Sequence, residues 1–325
     1  MVRAPDPAIT PELRAAIRAT CGDDSRALCA FGARLIVGRD AQQLPDAGAA
    51  LLEEAAKSGN PQAWALVAVI AAAGVGRPQS WSDALAALYR AAELGDAPAA
   101  HQRDLLGHLG IANAQDAARW IAAAQPLEIH HSPRLISYRE FLPAVLCSHF
   151  IERARPKLVP ARVNDARGGG LRLDPMRTNT CAVFSLIETD FVTQLVRARM
   201  AAAAGVAVDA LEPAEILHYE PGETYRLHVD FFHPQLPTFA QEMRAKGQRV
   251  KTCLVYLNDD LDGGETEFPK LGIKFRGERG EALMFDNVGP NGAGDIRTLH
   301  TGLPPTRGEK WLLSQWIRSK RQPVV

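Results

Sequence analysis

One helical pattern occurs twice in the first third of the chain. "LLEEAAKSGNPQAW" begins at Leu51, and "ALYRAAELGDAPAA" begins at Ala87, thirty-six residues later. Ala55 and Ala56 match Ala91 and Ala92, Gly59 matches Gly95, and Ala63 matches Ala99. Small alanines let two helices approach closely, and the Gly-Asn or Gly-Asp pair ends one helix and starts the next. A period in the mid-thirties with two helices per unit points to a solenoid, since one such unit cannot bury its apolar face alone. A fainter copy surrounds "IRATCGDDSRAL" near Gly22, about one residue out of register. A second echo links "GRDAQQLPDAGAALL" from Gly38 with "GRPQSWSDALAALY" from Gly76.

This segment of about 100 residues resembles the tetratricopeptide and Sel-type repeat families. The resemblance implies either a concave surface that holds a peptide or protein, or a helical prop for the second domain. Fold alone does not choose between them.

Near residue 126 the character changes. "QPLEIHHSPRLISY" carries two prolines and reads as a linker, which divides the chain into a helical-repeat domain over 1–125 and a second domain over 126–325. A chain of 325 residues suits two domains. Helical patterns occupy "EFLPAVLCSHFIERARPKL" and "FVTQLVRARMAAAAG". After Glu215 the pattern is that of strands: "EILHYE", "TYRLHVDFF", "VKTCLVYL", "EALMFDN" and "KWLLSQWI". Turns are expected at Pro221-Gly222, Gly263-Gly264 and Gly289-Pro290. The class is α+β, with a sandwich or small barrel in the second half.

The bulk numbers exclude some functions. Lys+Arg and Asp+Glu both total 37, so the formal net charge is zero, which argues against a partner that is nucleic acid or anionic membrane. The longest apolar run, "AWALVAVIAAAGVG" from Ala63, is too short to cross a bilayer. The opening "MVRAPDPAITPEL" has no apolar core and no small-residue cleavage site, so no secretory signal is expected. Cys21, Cys29, Cys147, Cys181 and Cys253 are odd in number and widely spread, which reads as reduced thiols in a cytoplasmic protein.

The chemistry concentrates in "HYEPGETYRLHVDFFHP", from His218 to Pro234. On a strand, His228 and Asp230 share a face with Val229 turned away. An imidazole and a carboxylate so placed can take two corners of one metal ion. A third ligand is expected at His300 in "RTLHTGLPPTRGEKWLLSQWIR", which completes the two-histidine, one-carboxylate face of non-haem Fe(II) oxygenases. A lone His-x-Asp is weak evidence, and taken alone it is more often a polar strand; the context decides otherwise. Ten residues after His300, Lys310 begins a strand on which Lys310, Leu312, Ser314 and Trp316 share a face. A lysine inside a barrel needs an anionic partner, whereas one at the strand mouth sits in water.

"YEPGETYRLHVD", "GQRVKTCLVYLNDDLDGGETEFP" and "LHTGLPPTRGEKWLLSQWI" resemble, in order and spacing, the prolyl 4-hydroxylase branch of the Fe(II)/2-oxoglutarate dioxygenases. The resemblance runs over roughly residues 132 to 320. "ISYREFLPAVLCSHFIERARPKL" is similar to the family's leading strand and helix, and "RTNTCAVF" to the family's next strand. It implies a double-stranded β-helix, the jelly-roll or cupin-like barrel, with supporting helices. It implies iron ligands at His228, Asp230 and His300, and Lys310 as the partner of the distal carboxylate of 2-oxoglutarate. Tyr219 and Thr266 fall on hydrogen-bonding partners of that acid, and Tyr225, Arg249 and Trp316 on positions lining a peptide groove. The implied cofactors are Fe(II), 2-oxoglutarate, O2 and ascorbate, and the implied reaction couples decarboxylation of 2-oxoglutarate to hydroxylation of a substrate C–H bond.

The expected substrate is a prolyl residue of a peptide or protein. A free amino acid or small natural product is the alternative, with an open groove suiting a chain and a closed pocket suiting a small molecule. A third reading makes the repeats the working surface and the oxygenase secondary. "NDARGGGLRLDPMR", from Asn164 to Arg177, is expected to act as a mobile lid, and "HPQLPTFAQEMRAKGQR" as the loop forming the other wall. The remaining histidines, among them His218, are read as structural, and Asp259, Asp260 and Asp262 as a solvated turn.

Overall fold

The structure, a computed structural model, describes Gly22 and residues 24–324. It divides into two compact units. One holds the described residues up to Ala123 with Phe184–Ala202 and Val324; the other holds Ala124–Val183 and Ala203–Pro323. The expected division at 125/126 misses the first unit's excursion at Phe184–Ala202. Its physical basis is apolar: Phe191 and Leu195 are buried in the core of the repeat helices, and the Gln102 side chain accepts a bond from the Phe191 amide.

Among the described residues, six helices precede Ala123: α1 (Ser25–Val37), α2 (Pro45–Lys57), α3 (Pro61–Ala73), α4 (Trp81–Glu93), α5 (Ala97–His108) and α6 (Ala114–Ala122). The thirty-six-residue period is set by caps. Asp24, Asn60 and Asp96 each cap a helix N-terminus, their side chains accepting from the amides of Arg26, Ala63 and Ala99. The fainter first copy therefore begins its helix in register, although its glycine is displaced by one. Its residues up to Cys21 lie outside the described residues. The second echo also settles at thirty-six rather than thirty-eight. Gly38 answers Gly74, both left-handed, with their amides donating to Arg34 and Ile70 carbonyls. At Gly32 and Gly48, α1 and α2 cross so closely that a Cβ on Gly48 would stand 2.7 Å from the Gly32 carbonyl oxygen.

The second unit carries strands β1 (Leu127–His130), β2 (Leu135–Tyr138), β3 (Val159–Pro160), β4 (Val163–Asn164), β5 (Leu171–Arg172), β6 (Thr180–Val183), β7 (Glu215–Tyr219), β8 (Tyr225–His228), β9 (Arg249–Tyr256), β10 (Asp262–Gly263), β11 (Thr266–Phe268), β12 (Ile273–Phe275), β13 (Ala282–Asp286), β14 (His300–Gly302), β15 (Pro305–Arg307) and β16 (Lys310–Arg318). Helix α7 (Ala144–Ala154) lies between β2 and β3 and α9 (Pro237–Lys246) between β8 and β9; α8 (Phe191–Ala204), which follows β6 in the chain, belongs to the first unit as far as Ala202. An eight-stranded sheet runs β1-β2-β13-β9-β16-β7-β6-β3, and a four-stranded sheet runs β12-β11-β14-β8. All their pairings are antiparallel. Leu217, Leu254, Leu283, Phe285 and Leu312 of the large sheet share one apolar core with Phe268 of the small one. This is a double-stranded β-helix.

Two segments read as loops carry regular structure. The Gly168–Gly170 run is the turn of a hairpin, β4 with β5, because Gly169 and Gly170 both take positive φ (75° and 76°). The segment after the ligand strand contains α9, started by Pro237 at its first turn and ended by Gly247.

Candidate active site

Strand β8 ends at His228, so Asp230 lies on a bend just beyond it rather than on the same strand. The bend still delivers the carboxylate. His228 and His300 are register partners on β8 and β14, with ring centroids 4.2 Å apart, and the Asp230 carboxylate reaches both rings. His228 Nε2 is 3.6 Å from Asp230 Oδ1, and His300 Nε2 is 3.8 Å from Asp230 Oδ2. The ligand atoms of all three lie within 4.8 Å of one another.

The surroundings aim these atoms. His228 Nδ1 is 2.8 Å from the Arg226 carbonyl and His300 Nδ1 is 2.9 Å from the Thr298 carbonyl. Each Nδ1–H therefore donates to backbone, which leaves both Nε2 lone pairs facing inward. Thr252 Oγ1 on β9 donates to Asp230 Oδ2 at 2.6 Å and accepts from Asn287 Nδ2 at 2.9 Å. Burial, with His300 adjacent, pushes the His228 imidazole down to about 3. The ring is thus held neutral, as a metal ligand must be. Two imidazoles and one carboxylate suit a divalent first-row metal such as Fe(II).

Lys310 opens β16 opposite Tyr219 of β7. It is 1% exposed, and its ammonium has no hydrogen-bond partner among the described residues. The rings of Tyr219 and Tyr256 flank it, with centroids 5.1 and 5.8 Å away. Burial pushes it down to about 7, opposed by Glu265. The lysine is inside the barrel, not at a wet mouth. An orphaned buried ammonium beside an inward-facing donor triad fits an anionic, metal-chelating co-substrate.

One cavity joins these groups. It is lined by His228, Asp230, His300, Lys310, Tyr219 and Thr266, with Tyr225 and Trp316 as further walls. The Tyr225 ring stacks on His228 at 3.5 Å and 14°. The whole expected face of β16, from Lys310 through Leu312 and Ser314 to Trp316, lines the cavity. Arg249 does not line it. Its guanidinium makes a two-pronged bond to Glu212 at 2.7 and 2.8 Å and lies 3.6 Å from the Trp316 ring, so it holds the wall from behind.

Sequence reasoning missed Arg177 and Tyr256. Arg177 ends the hairpin segment, lines the cavity, lies 4.8 Å from the Tyr225 ring and pairs with Glu215 at 3.1 Å. No spacing links it to the ligand strand. The Tyr256 hydroxyl meets Thr266 Oγ1 at 2.7 Å. Alternation along β9 from Thr252 through Leu254 to Tyr256 was the available signal.

Residues 214–318 match the 2OG-Fe(II) oxygenase superfamily. The chain is 32% identical over 231 residues to prolyl 4-hydroxylase 1 of Arabidopsis thaliana, spanning 63% of this chain and 80% of that protein. Its structure is similar to that of viral collagen prolyl hydroxylase from Paramecium bursaria Chlorella virus-1, at 25% identity and a TM-score of 0.43 over 57% of this chain and 95% of the other. It is also similar to a Sel1 repeat protein from Oxalobacter formigenes, at 28% identity and a TM-score of 0.26 over 27% of this chain and 26% of the other. The chain belongs to the prolyl 4-hydroxylase family of 2-oxoglutarate- and Fe(II)-dependent oxygenases.

Proposed function

We propose that this protein hydroxylates prolyl residues of a peptide or protein, with ascorbate as the reductant that maintains ferrous iron. The observation that carries the reading is Lys310: a buried, unpartnered ammonium in the same cavity as a neutral His/Asp/His donor set. His228, Asp230 and His300 would hold the iron, and Lys310 the far carboxylate of 2-oxoglutarate. The Tyr219 and Thr266 hydroxyls would hydrogen-bond that acid. When bound, iron and 2-oxoglutarate supply the oxidant that puts one oxygen atom of O2 into a substrate C–H bond, with succinate and carbon dioxide as co-products.

The chain's own part is placement. Thr252 fixes the carboxylate, Tyr225 packs one ligand ring, and the apolar faces of Leu254 and Leu312 keep water from the buried end. Tyr225 and Trp316 offer two aromatic walls to a pyrrolidine ring, and Arg249 would act on substrate only through Trp316. A cytoplasmic setting suits Cys29, Cys147, Cys181 and Cys253, all free buried thiols. Among the described residues no helix is long and apolar enough to cross a membrane.

The test is succinate release from 2-oxoglutarate with Fe(II), ascorbate and O2, comparing proline-rich peptides, free proline and no substrate. Peptide-stimulated turnover that disappears in His228→Ala is expected. Stimulation by free proline alone would transfer the reading to a small molecule. Failure to bind Fe(II) and 2-oxoglutarate would overturn it.

A further inference from the structure

Outside the cavity, one other set of described side chains converges as its triad does. His218 on β7, Glu220 just after it and Glu309 just before β16 bring their ligand atoms within 4.8 Å of one another. His218 Nε2 is 3.6 Å from Glu220 Oε1 and 3.6 Å from Glu309 Oε2. The His228–Asp230 and His300–Asp230 separations are 3.6 and 3.8 Å. Ligand atoms about 2.1 Å from a common ion stand roughly 3.0–3.4 Å apart, so a small inward shift of either set would close it on a metal.

The second observation concerns His218 itself. It is 4% exposed, and its Nε2 is buried without a hydrogen-bond partner. Its Nδ1 meets Thr180 Oγ1 at 3.0 Å, and the same hydroxyl donates to the His218 carbonyl at 3.4 Å. When that hydroxyl donates to the carbonyl it accepts from Nδ1–H, and Nε2 then turns a lone pair toward the two carboxylates. A lone pair and two anions converging on one point repel unless a cation, whether a proton or a metal ion, sits between them.

The supports are in place. Glu309 Oε2 accepts from Arg155 Nη2 at 2.9 Å and from Trp311 Nε1 at 2.9 Å, and the Trp311 ring lies against His218, with centroids 4.3 Å apart. These bonds orient the carboxylate, and an ion at Oε2 would take the place of one of them. The Glu220 amide donates to Glu223 Oε2 at 2.9 Å, which fixes the turn after β7. Arg155 offsets one of the two carboxylate charges, so the set retains a single negative charge for a divalent ion to meet.

We propose that His218, Glu220 and Glu309 form a second divalent-metal site, of the Zn2+ class, that ties β7 to β16 on the face opposite the cavity. One imidazole and two carboxylates suit this ion. His218 pairs in register with Trp311 as Tyr219 does with Lys310, so the ion clamps the strand junction that presents Tyr219 and Lys310.

The test is calorimetric titration of the full chain with Zn2+ alone, in a His228→Ala/Asp230→Ala background that removes two of the three cavity donors. One equivalent is expected to bind and to raise the melting temperature. Adding Glu220→Gln is expected to weaken binding at least tenfold and abolish the melting shift. The Glu220 side chain is 56% exposed, so that change leaves packing intact. With Cu2+ as the probe, electron paramagnetic resonance is expected to show one imidazole nitrogen that is lost in His218→Gln. Absence of Zn2+ binding in the background protein, or binding unchanged by Glu220→Gln, overturns the proposal whatever the cavity's turnover.

Discussion

Lys310 and Tyr219 are register partners across β16 and β7, and the lysine ammonium lies 5.1 Å from the centre of the tyrosine ring. Among the described residues no acceptor meets that ammonium. A well-packed apolar side chain of similar size would be more stable there, so the retained lysine points to a ligand that completes it.

The first prediction concerns protons. Burial lowers Lys310 from its usual 10.5 to about 7, so at pH 8 the free protein carries it mostly neutral. A dicarboxylate would restore the charge and take up close to one proton. Affinity for 2-oxoglutarate, measured with Mn(II) in place of iron, is expected to fall up to about tenfold per pH unit above 7. Titrations in two buffers of different ionisation heat read the proton directly; no uptake at pH 8 would refute Lys310 as the acid's partner. For stability, the native state binds fewer protons than the unfolded chain between about 7 and 10.5, so stability rises with pH across that window. Lys310→Met is expected to remove this slope and to gain about 1–3 kcal/mol at pH 7 while losing 2-oxoglutarate binding.

The second prediction tests the support of Asp230. Thr252→Val keeps the side chain's shape but removes the hydroxyl that links Asp230 Oδ2 to Asn287 Nδ2. Mn(II) affinity is expected to fall about tenfold or more. The orphaned Asn287 amide is expected to cost about 1–3 kcal/mol in thermal unfolding. Unchanged metal affinity would mean that the carboxylate needs no orienting partner.

The third prediction concerns backbone shape behind Lys310. Gly264 has φ +74°, and a Cβ there would stand 2.7 Å from Leu261 Cδ1 and 3.3 Å from Lys310 Cδ. Gly264→Ala is expected to cost about 1–3 kcal/mol and to raise the KM for 2-oxoglutarate more than it lowers kcat. A variant with normal stability and KM would show that the lysine stem has room to spare.

What could be read from the sequence was whatever periodicity or local spacing encodes. Alternation placed Lys310, Leu312, Ser314 and Trp316 on one face, and they line one cavity. The thirty-six-residue recurrence anticipated the repeat, but its register had to be read from caps. Asp24, Asn60 and Asp96 keep register because an N-cap needs only a short acceptor, whereas the preceding glycine could shift by one. Contacts closed through tertiary structure were invisible. Arg249 was expected to face substrate, but Glu212 holds its guanidinium behind Trp316. His218 reads as structural because it alternates away from Tyr219, and its neighbour Glu309, far along the chain, is brought to it only by the pairing of β7 with β16.

Arg177 supplies the last prediction, since its role rests on geometry alone. Its guanidinium lies 4.8 Å from the Tyr225 ring and donates to the Arg162 carbonyl at 2.8 Å, to Glu215 at 3.1 Å and to Asn179 at 3.3 Å. A planar fork can meet these partners while stacking on a ring; an ammonium cannot. Arg177→Lys is therefore expected to keep the charge beside Glu215 but loosen Tyr225. That should lower kcat/KM for a peptide on the order of tenfold, mainly through KM. Decarboxylation of 2-oxoglutarate without peptide should stay unchanged. Arg177→Leu would instead leave Glu215 unpaired and cost about 3–5 kcal/mol in unfolding, a purely structural loss. If Arg177→Lys slows peptide-free turnover as much as peptide turnover, Arg177 acts on the metal end of the cavity and not on the Tyr225 wall.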